Sequence, residues 1–190
     1  NDGQIDMLVT YDWGPIKYFQ NENGRLIDFT DLSGLGDRFG WYNSISSGDF
    51  DLDGDFDYVV GNTGLNTKYM ATKEKPEILY FGDFEGKGIK RIVEAKFENG
   101  ICLPHRGLGC SSGAMPMLKE KLPTYHKFAI TSLSGIYTEA LLNNAQKFEV
   151  NSLESGIIFN KTDASGNVIY EFESLPRLAQ ASPVFGSAVC

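Results

Sequence analysis

The sequence predicts a mainly β protein built from short repeated sheets, with one helical insertion. Three observations point there. The acidic stretch 48–64, GDFDLDGDFDYVVGNTG, recurs in partial form at the start of the chain and again from Asp83. Short β-branched and aromatic runs are separated by Gly, Asn and Asp turns, the punctuation of antiparallel structure. Apolar spacings of three and four residues, the helical period, run through 113–147.

The acidic stretch organises the rest. Asp49, Asp51, Asp53 and Asp57 stand at positions 1, 3, 5 and 9 of a loop, with Gly54 at position 6. A hard cation such as Ca²⁺ takes about six to eight oxygen ligands, so a tight loop must turn several carboxylates inward. Alternate residues do this, and a glycine at position 6 permits the sharp turn that brings position 9 back. Asp55 at position 7 is expected to offer its backbone carbonyl. The competing reading, an Asp/Gly turn that binds nothing, leaves four carboxylates repelling one another. An EF-hand is excluded: it needs Glu at position 12 and flanking helices, and position 12 is Val60, inside the strand-like run Tyr58-Val59-Val60.

The chain of 190 residues has single-domain length and a formal net charge of −8. Such a charge lacks the phosphate attraction that dominates nucleic-acid binding, so nucleic acid and anionic membranes are poor partners. No apolar run approaches bilayer-spanning length. With no signal peptide and no initiator Met, the sequence is expected to be a mature form or a fragment. Three cysteines neither demand nor exclude an oxidising compartment. Calcium is abundant outside cells and scarce inside, which favours export for a weak loop-only site.

In chain order, NDGQIDMLVTYD aligns with LDGDFDYVVGNT, placing Asp2 on Asp53, Gly3 on Gly54 and Asp6 on Asp57. This first copy is half a site, and little metal is expected there. Strands are expected at 16–20 and 26–30 around the hairpin signal Asn23-Gly24, and at 41–47 leading into the acidic loop. These make one four-stranded module. After 65–69 and a Lys/Glu/Pro turn comes a strand at 78–81. Then GDFEGKGIKRIVEAKF repeats the loop in decayed form: Asp83 and Glu85 keep positions 1 and 3, but Lys87 and Arg91 hold positions 5 and 9. That copy is expected to be metal-free and neutralised by its own ion pairs. In the helical stretch Pro123 ends the first helix, Thr124 caps the next and Ser134-Gly135 separates a third. Strands resume at 149–159 and at 168–172, after the turn 164–167; 182–190 aligns with the strand before the acidic loop.

A strand, a DxDxDGxxD loop, a short apolar strand and Gly-Asn resemble the FG-GAP/VCBS repeat of integrin-α-type β-propellers. The runs RGLGCSSGAMPMLKEKLPTYHKFAITSL, VVGNTGLN and LPRLAQASPV are similar to secreted bacterial VCBS-repeat proteins akin to cartilage acidic protein, often associated with an ASPIC/UnbV domain. The resemblance implies a partial β-propeller with a helical insertion (about 113–147) in its third blade. The modules fall at about 1–48, 49–82 and 83–190. It also implies export, calcium in the intact repeat and a longer parent. Three modules leave open sheet edges, so a second copy of the chain is expected to complete the ring as a homodimer.

Other groups carry weaker signals. Cys102, His105 and Cys110 read C-x2-H-x4-C: three ligands of a zinc site without a nearby fourth, a disulfide between Cys102 and Cys110 if the chain is exported, or free thiols. Ser111 or Ser112 with His126 lack the G-x-S-x-G elbow of a hydrolase. Arg106 and His105 are candidates for an acidic ligand or for structural pairing. The expected function is a calcium-binding extracellular module, non-enzymatic, that binds a protein or glycan. The alternative is an accessory or catalytic domain of a polysaccharide-active enzyme.

Overall fold

A computed structural model describes residues 3–163 and 165–188; Asp2, Ala164 and Cys190, which enter the repeat and turn assignments above, lie outside them. The strands begin with β1 (Met7–Thr10), β2 (Asp12–Glu22), β3 (Arg25–Asp28), β4 (Phe39–Trp41), β5 (Ser44–Gly48), β6 (Asp57–Gly61), β7 (Glu77–Gly82), β8 (Arg91–Glu98) and β9 (Ile101–Pro104). Five short helices follow: α1 (Leu108–Ala114), α2 (Met117–Lys121), α3 (Tyr125–Ile130), α4 (Leu133–Tyr137) and α5 (Glu139–Asn143). Then come β10 (Gln146–Val150), β11 (Gly156–Thr162) and β12 (Val168–Ser174), and a 3-10 turn Arg177–Gln180. The mainly β expectation holds: among the described residues the strands form three four-stranded sheets. Three is fewer than the four to eight blades (about) of a closed propeller. No helix among the described residues is long and apolar enough to cross a membrane.

The chain divides into two compact units, one comprising residues up to Ala71 together with those from Val150, the other Thr72–Glu149. In the first unit, β2 and β3 meet across Asn23 and Gly24, whose φ values of 53° and 87° are those a two-residue hairpin demands. β1 and β4 both pair with β2. The single strand expected at 41–47 is two. Tyr42 donates its N–H to the carbonyl of Tyr11 and Asn43 donates to Gly61, so the chain passes from one sheet to the next at this dipeptide. β4 closes on β2, while β5 pairs with β6.

The second sheet of this unit runs β12-β11-β6-β5. Val59 and Val60 of β6 face Ile157 and Gly156 of β11, a strand from far along the chain. The sheets therefore do not follow the contiguous modules 1–48, 49–82 and 83–190: β6 takes its apolar partner from β11, and β7 pairs instead with β8 and β10. Between the two sheets lie Ile16, Tyr18, Leu35, Tyr42, Val60, Ile158 and Tyr170, all buried. Tyr170 meets Tyr18 edge-on at 5.2 Å between ring centroids. A smaller cluster forms around Trp41, which packs edge-on against Trp13 at 4.8 Å and Tyr69 at 4.5 Å. Trp13 reaches it from a bulge in β2, where its φ is +55°.

The second unit has the sheet β10-β7-β8-β9. Its core joins Ile78, Phe84 and Val93 to Leu108, Leu118, Phe128, Leu133 and Ile136 of the helices, as the spacing of apolar residues predicts. The helical stretch starts earlier than 113, at Leu108, and gives way to β10 at Gln146. Thr124 caps α3 by accepting the Lys127 N–H at 3.2 Å. Ser134-Gly135 does not separate helices but sits inside α4. The separator is Thr131-Ser132, where Ser132 accepts the Gly135 N–H at 3.1 Å and so starts α4 two residues before the glycine can break it.

Candidate metal centre

Gly48 and Asp57 are paired across β5 and β6, so the acidic loop is a hairpin connection closed at its base. Its backbone is shaped by successive Asp side chains. Asp49 accepts the Gly54 N–H at 3.1 Å, Asp51 accepts that of Asp53 at 3.3 Å, and Asp53 accepts that of Asp55 at 3.0 Å. Gly54 lies at φ +95°, a conformation that a side chain would strain.

Asp57 is 0 % exposed. Its Oδ2 accepts the Phe50 N–H and its Oδ1 the Asn160 N–H of β11, each at 2.9 Å. Carboxylate oxygens of Asp49, Asp51 and Asp57 come within 4.8 Å of one another. They are the one such cluster of metal-ligating groups among the described residues. Asp53 is not in it. Its carboxylate turns to the Asp55 N–H and, at 3.5 Å, to the Lys161 ammonium. Asp55 is half-buried and its carboxylate is not part of the trio.

Lys161 was not legible in the sequence as part of this loop. It follows Asn160 on β11 and places its Nζ against Asp51 Oδ2. The hydrogen bond from Lys161 holds the Asp51 carboxyl below its ordinary range, and Asp51 raises the ammonium in return. Only the register of β11 against β6, Ile158 opposite Tyr58, brings residue 161 to the loop. Five aspartates against one lysine still leave the loop at −5 + 1 = −4. An all-oxygen donor set with no thiolate or imidazole suits a hard cation, so the residues present fit Ca²⁺ rather than Zn²⁺.

The partial copies answer differently. In the first, Asp6, aligned with Asp57, accepts the Tyr18 hydroxyl at 2.7 Å and the Asn21 N–H at 2.8 Å. In the decayed copy, Asp83 accepts backbone N–H groups of Glu85, Gly86, Lys87 and Gly88, which hold its carboxyl below the usual range, that of Gly88 most strongly. Glu85, with its side chain 4 % exposed, lies 2.9 Å from Lys87 and 4.0 Å from Arg91. The ion pairs expected at positions 3, 5 and 9 of that loop are present.

The other candidates separate. Cys102 and Cys110 are free thiols, so the bridge across this loop is not formed. Cys102 packs half-buried against the second unit's core, and burial pushes its thiol up, while Cys110 is exposed on α1. His105 is 4 % exposed at its side chain and lies 3.9 Å from Glu77, and His126 is exposed on α3. Arg106 grips Glu94 with two nitrogens at 3.0 and 3.3 Å. Ser111 and Ser112 donate to the carbonyls of Arg106 and Gly109, each at 3.3 Å, rather than to an imidazole.

No curated protein and no solved structure matches the chain with significance. Residues 1–60 match the family model of the FG-GAP-like repeat. That match takes in both the partial loop around Asp6 and the whole acidic loop from Asp49 to Asp57, so the part of the chain that carries the candidate centre is the part similar to the FG-GAP-like repeat.

Proposed function

We propose that this chain is a calcium-stabilised, propeller-type extracellular module that acts by binding a protein or a glycan, with no chemistry of its own. The observation that carries the reading is the convergence of Asp49, Asp51 and Asp57 oxygens within 4.8 Å on a loop that keeps its net negative charge. Asp53 joins them when the ion is bound, and the Asp55 carbonyl is the further oxygen at position 7. Calcium supplies the missing positive charge and fixes the loop between β5 and β6, and with it the surface that neighbouring loops present. FG-GAP-like repeat sequence over residues 1–60 supports an exported or cell-surface location. A second copy of the chain is a candidate partner, because the edge strand β3 exposes Leu26 and Ile27.

The test is a glycan and protein-partner screen run with calcium and with EGTA, alongside calcium titration calorimetry. Partner binding that needs calcium, together with a saturable calcium site, supports the reading. Heat of binding that survives Asp51→Asn/Asp53→Asn unchanged overturns the site, and turnover of a polysaccharide by the purified chain overturns the non-enzymatic assignment.

A further inference from the structure

We propose that Lys161 is a tethered counter-ion that occupies the acidic loop in the absence of metal and competes with the metal for its carboxylates. The inference rests on the calcium reading of that loop. Lys161 Nζ contacts Asp51 Oδ2 and lies 3.5 Å from Asp53 Oδ2, so the two side chains expected at positions 3 and 5 are held by one ammonium. A cation bound by Asp49, Asp51 and Asp57 draws on the same Asp51 carboxylate, and two positive charges held closely on it repel one another. Lys161 is able to leave: its side chain is 37 % exposed, on a flexible four-carbon stem, and its ammonium already lies 5.5 Å from the centre of the Phe159 ring.

The chain holds a second instance of the same device. In the decayed loop Lys87 and Arg91 stand at ligand positions and pair with Glu85. There the cations are built into the loop; here the cation is delivered from a neighbouring strand and is removable. In the first copy the residue after the tie to Asp6 is Glu22, which follows Asn21 as Lys161 follows Asn160. The arm is thus specific to the loop that keeps all its aspartates.

The loop then has two counter-charged states, one held by an ammonium and one by a metal ion. Lys161 weakens the affinity for metal and limits how far the protein depends on it. Calcium titration of wild type, Lys161→Met, Lys161→Gln and Lys161→Arg tests this, with thermal melts in EGTA and in excess calcium. Loss of the charge in Lys161→Met and Lys161→Gln is expected to tighten calcium binding about tenfold, less at high salt, whereas Lys161→Arg stays near wild type. Both neutral variants are expected to melt below wild type in EGTA and to regain the difference in calcium. Calcium binding of equal strength in wild type and both neutral variants overturns the competition while leaving the metal site standing. Absence of binding in all four proteins overturns the metal site and the competition together.

Discussion

Asn160 donates its backbone N–H to Asp57 across 103 residues of chain, at 2.9 Å. Asn21 makes the same bond to Asp6, the aligned aspartate of the first copy, at 2.8 Å. In both copies the position 9 carboxylate therefore ties its loop to the adjoining strand, whatever else it binds. In the third copy Arg91 stands in place of the aspartate and lies 4.0 Å from Glu85 of the same loop.

Asp57→Ala is expected to destabilise the protein by about 2–4 kcal/mol even in EGTA, because it leaves two backbone N–H groups near the loop base without their acceptor. Urea denaturation in EGTA measures it. A cost below about 1 kcal/mol contradicts the structural role.

Asp51→Asn/Asp53→Asn is expected to lose the calcium-dependent gain in stability. In wild type that gain is about 2.7 kcal/mol when free calcium is a hundred times Kd (about). Melting curves at rising calcium report it, and parallel shifts in the two proteins count against these ligands.

Lys87→Asp/Arg91→Asp is expected to make the decayed loop unstable in EGTA, since Glu85 loses both cations while its side chain stays 4 % exposed. Calcium is expected to restore the melting temperature and appear as an anomalous-scattering peak beside Asp83. Anomalous signal there in the native protein contradicts the metal-free assignment.

Asp28 sets the pH response of the first sheet. The Lys17 ammonium first, then Thr30, lower its carboxyl to about 2. Since the folded value lies below the ordinary value of about 3.9, its contribution is complete above about pH 4 and fades as pH falls towards about 2. The stability gap between wild type and Asp28→Asn, followed by denaturation from about pH 6 to 2, is expected to stay level and then close. A gap independent of pH excludes the carboxylate as its source.

The acidic loop, the hairpin at Asn23-Gly24 and the Thr124 cap could be read from the chain because each depends on neighbours in sequence. Loop geometry needs only Asp at alternate places and Gly54. The apolar period likewise announced the helices, although Ser134-Gly135 misled because Ser132 had already begun α4. What could not be read depends on pairing across distance. Nothing near Val59 indicates Ile157 as its partner, and nothing near Asp51 indicates Lys161. The free thiols of Cys102 and Cys110 belong to the same class, since a spacing suited to a bridge does not say that a strand and a helix turn them to different surroundings.

The pairing of β6 with β11 has a consequence for synthesis. During translation β5 and β6 emerge first, and the strand that covers the free side of β6 follows only after all of Thr72–Glu149. At about 5–20 residues per second the nascent chain carries that uncovered edge for roughly 5–20 s. The intervening unit can fold in that time on its own local core, while the first must wait for its closing strands. The half-finished sheet, with Val59 and Val60 unpaired on one side, is then the species most in need of protection from neighbouring chains.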